Sequence, residues 1–413
     1  MIHILGAERV LLCDEEFRLL SKGAVAFLGD KILAVDSYEK LQKRYPEALA
    51  EYHPQGILLP GLINAHLHLE FSANQTTLLY GGFDRWLSSV ITHRDALMGE
   101  GAKEAMRRAL DEVLSSGTTT VGAISSAGLD LEILAHSSLR VLFFNEVIGS
   151  NPSAIDFLWE DFLGRLKRSE EFKSSRFTPL VAIHSPYSVH PFLIKRALLE
   201  AKRLGGVVST HFMESKEERE WLEESRGFFG DFFARFFGGV KPKALSTPLE
   251  FLELLEGQRV MLVHGVQMNE EELAKAASLG ASLASCPRSN RLLGGELLDI
   301  SKVKKAGIPF LLATDGLSSN TSLSLLEELR IALFAYAKEP LESWARELVL
   351  SVTKRAAYAL GLESGELREG LKADLALFEL EGIGECTQEA LQWILHAKKV
   401  KTLYIEGKKV EVK

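Results

Sequence analysis

Two histidines one residue apart, His66 and His68, close the apolar run "LLPGLINAHLHLEF" at residues 58–71. Strand side chains alternate faces, so positions i and i+2 share one, and both imidazoles enter the same space. Three more polar residues end apolar runs in the same way: His211 in "VVSTHFMES", His264 in "VMLVHG" and Asp315 in "LLATDG". Left unpaired in an apolar interior, each would cost roughly several kcal/mol, a penalty that coordination to one cation removes. A nitrogen-rich set with one carboxylate suits Zn²⁺, with Fe²⁺ as the alternative, and is a poor shell for Mg²⁺ or Ca²⁺. One divalent metal, zinc by default, is therefore the expected cofactor. Water on such an ion can be acidified to a pKa of about 7, which predicts hydrolysis. Glu214, three residues after His211 in "HFME", is placed to hand a proton to a ring nitrogen or leaving group.

Scattered residues meet only if the fold gathers them. Eight short apolar or β-branched runs stand between residues 58 and 360: "ILLPGLINAH", "TTTVGAI", "RVLFFNEVIG", "PLVAIHS", "VVSTHF", "RVMLVHG", "ASLASCP" and "IPFLLATDG". Helical patterns such as "AKEAMRRALDEVLSSG" and "PFLIKRALLEAKRLGG" separate most of them, and "NEEELAKAASLG" opens with a capping box of Asn269 and Glu272. This repetition predicts an α/β fold, a (β/α)₈ TIM-like barrel, whose C-terminal face gathers catalytic groups. A doubly wound open sheet is the runner-up. Short strands at both chain ends, from "MIHILGAERVLL" to "VKTLYIEGKKVEV", predict a small β-sandwich domain composed of residues 1–57 and 365–413, around a barrel of 58–364. The long connection 216–257 carries Phe228, Phe229, Phe232, Phe233, Phe236 and Phe237. It is expected to pack against the barrel or a second subunit, which admits a homodimer, with a lid over an apolar substrate end as the sharper alternative.

Bulk properties narrow the partners. The net charge of −8 over 413 residues argues against a nucleic-acid surface, which would need a basic face. Three widely spaced cysteines make no disulfide framework, no uncharged apolar run reaches ~18 residues, and the first residues read as no leader, so the expectation is a cytoplasmic protein away from membranes. No H-E-x-x-H, G-x-S-x-G, phosphate-cradling glycine loop or P-C-x-x-C occurs.

The motifs "PGLINAHLHLE", "HSPYSVH", "THFMES", "VHG", "CPRSN" and "ATDGLSSN" together resemble the amidohydrolase superfamily over essentially the whole chain. They are most similar to its deaminase and chlorohydrolase branch, in which the metal is mononuclear; the fourth run offers His184 but no lysine to bridge two metals. The resemblance implies His66, His68, His211 and Asp315 as metal ligands, Glu214 as proton shuttle, and His264 with Asp315 orienting the attacking water. It further implies substrate contacts from His184 and Trp86. Nucleoside-deaminating relatives carry a ribose-binding glutamate where this chain has Arg94 or Asp95. "FFNEVIG", "HSPYSVHPFLIKRAL" and the phenylalanine-rich segment resemble the aminodeoxyfutalosine deaminases of bacterial menaquinone synthesis. The implied reaction is hydrolytic deamination of an adenine nucleoside, 6-amino-6-deoxyfutalosine, to futalosine and ammonia, with Arg94 taking the benzoate and Phe228–Phe237 covering its ring. Deamination of adenosine, methylthioadenosine or S-adenosylhomocysteine, and amide or C–Cl hydrolysis on the same scaffold, are the alternatives.

Overall fold

The computed structural model describes residues 1–74, 76–99, 101–236 and 242–412; Phe237 lies outside these. Alternation at the amino end produces strands His3–Leu11 (β1), Leu19–Leu28 (β2), Lys31–Ser37 (β3) and Leu49–Pro60 (β4). From the other end come Leu375–Glu379 (β13), Thr402–Ile405 (β14) and Lys408–Val410 (β15), and all seven join one mixed sheet in the order β15-β14-β13-β4-β1-β2-β3. The β unit expected from both chain ends is this single sheet.

Each of the eight runs supplies one strand of a second, parallel sheet: Leu62–Leu67 (β5), Thr118–Ser125 (β6), Arg140–Val147 (β7), Phe177–Ile183 (β8), Val207–Phe212 (β9), Arg259–His264 (β10), Ser282–Ser285 (β11) and Phe310–Leu312 (β12). Neighbours follow chain order throughout, the mark of a barrel. Its seam runs between β12 and β5. There the Asp315 N–H donates to the His66 carbonyl at 3.2 Å, and Asn64 Nδ2 donates to Thr314 Oγ1 at 2.7 Å. Helices Ala102–Ser115 and Pro191–Leu204 fall on the helical patterns, Ile155–Glu170 adds another, and Asn269 and Glu272 form the expected capping box on Glu270–Ser278.

Two local features of the first run escaped the pattern. "ILLPGLINAH" is divided between the sheets, because β4 reaches Pro60 and β5 starts at Leu62. Gly61 makes the junction; a Cβ there would stand 2.2 Å from the Thr119 side chain. The second feature is a register shift against β6 between Asn64 and Leu67. Ile63 and Ala65 pack in the barrel interior, whereas Leu67 and Leu69 join the layer beneath the outer helices. The bulge thus moves the inward set from odd to even positions just before His66 and His68.

The connection after β9 forms helices Lys216–Glu224 and Phe228–Phe236. Phe229 stacks on Tyr187 with centroids 4.3 Å apart and meets Phe83 at 6.1 Å, while Phe233 packs on Trp221 at 5.4 Å. Burying Phe229 contributes roughly 1.5–3 kcal/mol. The described phenylalanines are thus used within the chain, as the packing alternative required. Among the described residues no helix is long and apolar enough to cross a membrane.

A buried ion cluster joins the two sheets. Arg140, the first residue of β7, donates to Asp374 and, at 3.2 Å, to Glu406 Oε1; all three are almost wholly buried. Removing one member of such a cluster strands the remaining charges. Arg140→Ala is expected to destabilise the fold by about 3–5 kcal/mol in urea unfolding. Arg203→Ala, which breaks a half-exposed pair with Glu170, should cost about 1 kcal/mol or less.

Candidate metal centre and substrate cavity

Every polar residue that ends an apolar run reaches the same barrel mouth. Ligand atoms of His66, His68, His211 and Asp315 all lie within 4.8 Å of one another. His68 Nε2 and His211 Nε2 are 3.2 Å apart, and Asp315 Oδ1 is 3.5 Å from Nε2 of both His66 and His68. His211 Nδ1–H donates to the His184 carbonyl at 2.8 Å, which leaves Nε2 as the lone-pair nitrogen facing the cluster. Asp315 Oδ2 accepts from Ser289 Oγ at 2.8 Å and Ser319 Oγ at 2.7 Å, so Oδ1 is the free oxygen.

Backbone conformation aims these groups. His264 (φ 71°) and Asp315 (φ 62°) both adopt the left-handed region, which costs of order 1–3 kcal/mol per non-glycine residue and is retained where the surroundings impose it. Gly316 follows Asp315 with its Cα against His68, and a Cβ there would lie 2.8 Å from the His68 Cβ. A larger residue would push that imidazole out of place.

The donor set fits a transition-metal ion. His66 is fully buried, yet neither ring nitrogen has a hydrogen-bond partner, which is the state of an imidazole awaiting a cation. Burial pushes His68 down to about 3 and holds His66 and His211 below the ordinary imidazole range, so these rings are neutral and ligand-competent at neutral pH. Burial alone would raise Asp315, but its contact with His66 and the neighbouring rings of His68 and His264 hold it well below the carboxylate range.

Glu214 and His264 form the next layer. Glu214 Oε1 is 3.5 Å from His264 Nε2, and His264 Nδ1–H donates to Asn290 Oδ1 at 2.9 Å, which fixes Nε2 as the acceptor. Burial, reinforced by the nearby charge of Asp315, pushes Glu214 well above the usual carboxylate range. It is a group able to hold a proton at neutral pH. Its backbone N–H donates to Glu218 Oε2 at 2.8 Å, and Glu218 lies in the first turn of Lys216–Glu224, where its own N–H is capped by Ser215 Oγ at 3.1 Å.

The cluster opens into a cavity of about 220 Å³ lined by His184, Trp86 and Arg94, the three residues expected to touch substrate. His184 is held through Nδ1, 2.5 Å from Ser188 Oγ, and Trp86 Nε1 donates to the Ser318 carbonyl at 2.9 Å. The outer wall is apolar: Phe71, Leu87, Val90, Ile91 and Ile148. Phe228, Phe229, Phe232 and Phe233 do not line this cavity, so the expected ring cover is corrected for them: Phe229 braces the wall from behind through Phe83 and Tyr187. Sequence reasoning also missed Glu146, Ser126, Ser289, Ser319, Asn290 and Glu218. Only Glu218 left a local signal, the capping pattern Ser215-x-x-Glu218.

A family model described as the amidohydrolase family matches residues 57–410. This chain belongs to that family. It is 46% identical over 390 residues to the aminodeoxyfutalosine deaminase of a Nitratiruptor species, covering 94% of this chain and 95% of that protein. It is 36% identical to a protein named adenosine deaminase from Helicobacter pylori, covering 99% and 100%. The crystal structure of Helicobacter pylori aminofutalosine deaminase in complex with methylthio-coformycin superposes with a TM-score of 0.94 at 36% identity over 99% of this chain and 100% of that one.

The burial of Glu218 gives this amidohydrolase a pH-dependent stability. Desolvation lifts its carboxyl from an ordinary 4.5 to about 8. A raised folded-state pKa contributes stability that is complete below pH 4.5 and lost as pH climbs through about 8. Glu218→Gln keeps an acceptor for the Glu214 N–H and cannot ionise. The variant should therefore have a flatter profile of unfolding free energy between pH 4.5 and 8 than the wild type, as read by urea titrations at each pH.

Proposed function

We propose that this amidohydrolase deaminates the adenine ring of a nucleoside hydrolytically, converting 6-amino-6-deoxyfutalosine to futalosine and ammonia in menaquinone biosynthesis. The observation that carries the reading is the buried Glu214 at 3.5 Å from His264 beside a four-residue donor cluster that opens into a cavity of about 220 Å³. The names of the sequence relatives at 46% and 36% identity, both deaminases, support it.

In this mechanism His66, His68, His211 and Asp315 would hold one divalent ion, zinc by preference, which when bound would supply an acidified water as nucleophile at neutral pH. His264, locked by Asn290, and Asp315 orient that water toward C6 of the purine. Glu214 delivers its proton to N1 as the ring accepts the incoming oxygen and recovers one from the attacking water, whose second proton leaves on the exocyclic nitrogen. The C6–N bond breaks, ammonia departs and the ring becomes a hypoxanthine. Trp86 and the apolar wall enclose the nucleoside, His184 presents Nε2 to the base, and Arg94 pairs with the benzoate of the side chain. Deamination of adenosine itself is the second reading, favoured by the name of the Helicobacter relative.

Three measurements test this. Removing the ion with a chelator should abolish ammonium release, and Zn²⁺ should restore it. Glu214→Gln should lower kcat by about 10²–10⁴-fold while bound metal is retained; unchanged turnover sinks the mechanism. Arg94→Ala should lower kcat/KM for aminodeoxyfutalosine by about 10–100-fold and leave adenosine unaffected, as expected for losing one charge-assisted contact. Equal turnover of both nucleosides by wild type and variant would favour the adenosine reading.

A further inference from the structure

A third carboxylate, beside Glu214 and Asp315, lines the cavity with no part in the reaction above. Glu146 is the penultimate residue of β7, is 1% exposed, and sits among oxygen and nitrogen donors that already include Asp315. A negative group placed there works against burial and against its neighbour's charge, so its retention calls for a partner. Its surroundings hold it in one orientation. Arg165 Nη2 donates to the Glu146 carbonyl at 2.9 Å, and Ser126 Oγ donates to Glu146 Oε2 at 2.6 Å. Ser126 is fixed in turn, because the carboxylate of Glu70 accepts the backbone N–H groups of Ser126 (2.6 Å), Ala127 (3.0 Å) and Leu129 (2.8 Å). The result is one oxygen fully used and the other, Oε1, buried at the cavity wall without a hydrogen-bond partner.

Two roles compete for that oxygen. Glu146, His184 and His211 have ligand atoms within 4.8 Å of one another, which resembles a second metal position. His211 Nδ1, however, is consumed by its donation to the His184 carbonyl at 2.8 Å, and the ring would have to give up that proton to bridge two ions. A hydrogen bond to substrate needs no such change. A carboxylate oxygen accepts, so its partner is a donor. An adenine nucleoside offers only its 6-amino group and its sugar hydroxyls. The amino group reacts on the side of Glu214, which follows β9, whereas Glu146 ends β7, with β8 and His184 between them.

Resting on the nucleoside reading given above, we propose that Glu146 Oε1, oriented by Ser126 and Glu70, accepts a hydrogen bond from a ribose hydroxyl and sets the enzyme's selectivity for ribosides over deoxyribosides. Glu146→Gln is the informative variant. Its amide oxygen will be taken by the Ser126 hydroxyl, leaving an NH₂ donor where an acceptor stood.

The test is a cycle of kcat/KM values for adenosine, 2′-deoxyadenosine and 3′-deoxyadenosine with wild type and Glu146→Gln, accompanied by metal content and thermal midpoint. Wild type should lose about 10–100-fold on one of the deoxynucleosides, and Glu146→Gln should lose the same factor on adenosine but about twofold or less on that deoxynucleoside. Ser126→Ala should reproduce the pattern with smaller losses, and it carries the test if the glutamine variant fails to fold. An equal loss on all three nucleosides, or a loss that follows depleted metal, overturns the proposal while leaving the deaminase reading intact. A wild type that deaminates none of the three and leaves aminodeoxyfutalosine unreacted overturns both.

Discussion

The desolvation of His66 is the constraint on which the rest of the site depends. An imidazole with two unpartnered nitrogens in a sealed interior costs roughly 1–3 kcal/mol per lost hydrogen bond, and four more ionisable side chains share its enclosure. Such a group persists only because the strands that bring it there cannot place it elsewhere. The seam bond from the Asp315 N–H to the His66 carbonyl joins residues from opposite ends of the barrel, so closing the sheet and assembling the donor cluster are one event. Asn64 and Thr314, one step below, hold the same seam through side chains. Barrel closure is therefore the act that builds the chemistry, and the metal-ligand geometry inherits its precision from a backbone ladder.

What the sequence disclosed and what it hid divide along a physical line. Strand identity was legible because every barrel strand is a short apolar run, and the ends of those runs were legible because a polar residue interrupts them. His66, His68, His211, His264 and Asp315 stand out by that rule, and the structure brings all five together. The bulge at Asn64–Leu67 was not legible, since it is a property of pairing with β6 and leaves the i, i+2 spacing of the histidines untouched. Ser289, Ser319 and Asn290 were hidden for a similar reason: each acts on a residue 4 to 26 positions away, through contacts that only the fold creates. Glu146 lay in a recognisable motif, but a glutamate between Asn145 and Val147 gives no local sign of which way it faces. The phenylalanine segment admitted both packing and a cover for substrate, and Phe229 and Phe233 are used in packing.

The site also shows a division of labour between rigid and adjustable parts. Groups that meet the reacting atoms sit at strand ends or within three residues of them, fixed by left-handed backbone at His264 and Asp315 and by two hydroxyl groups on the far side of the Asp315 carboxylate. Apart from Glu146 on β7, residues that would discriminate among nucleosides come from helices and loops outside the barrel, where Phe83–Thr92 supplies Trp86 and the segment beginning at Arg94 follows it. Members of one family can thus share a reaction centre and differ in what they hold.

The buried contact of Arg140 with Asp374 and Glu406 has a consequence for how the molecule is made. Arg140 opens β7, near the middle of the chain, whereas both of its acidic partners are synthesised more than 230 residues later. Until position 374 has left the ribosome, the guanidinium at the foot of the barrel has neither of these counter-charges and must stay in contact with water. The foot of the barrel is therefore completed only when the carboxyl-terminal segment that carries Asp374 and Glu406 docks on it.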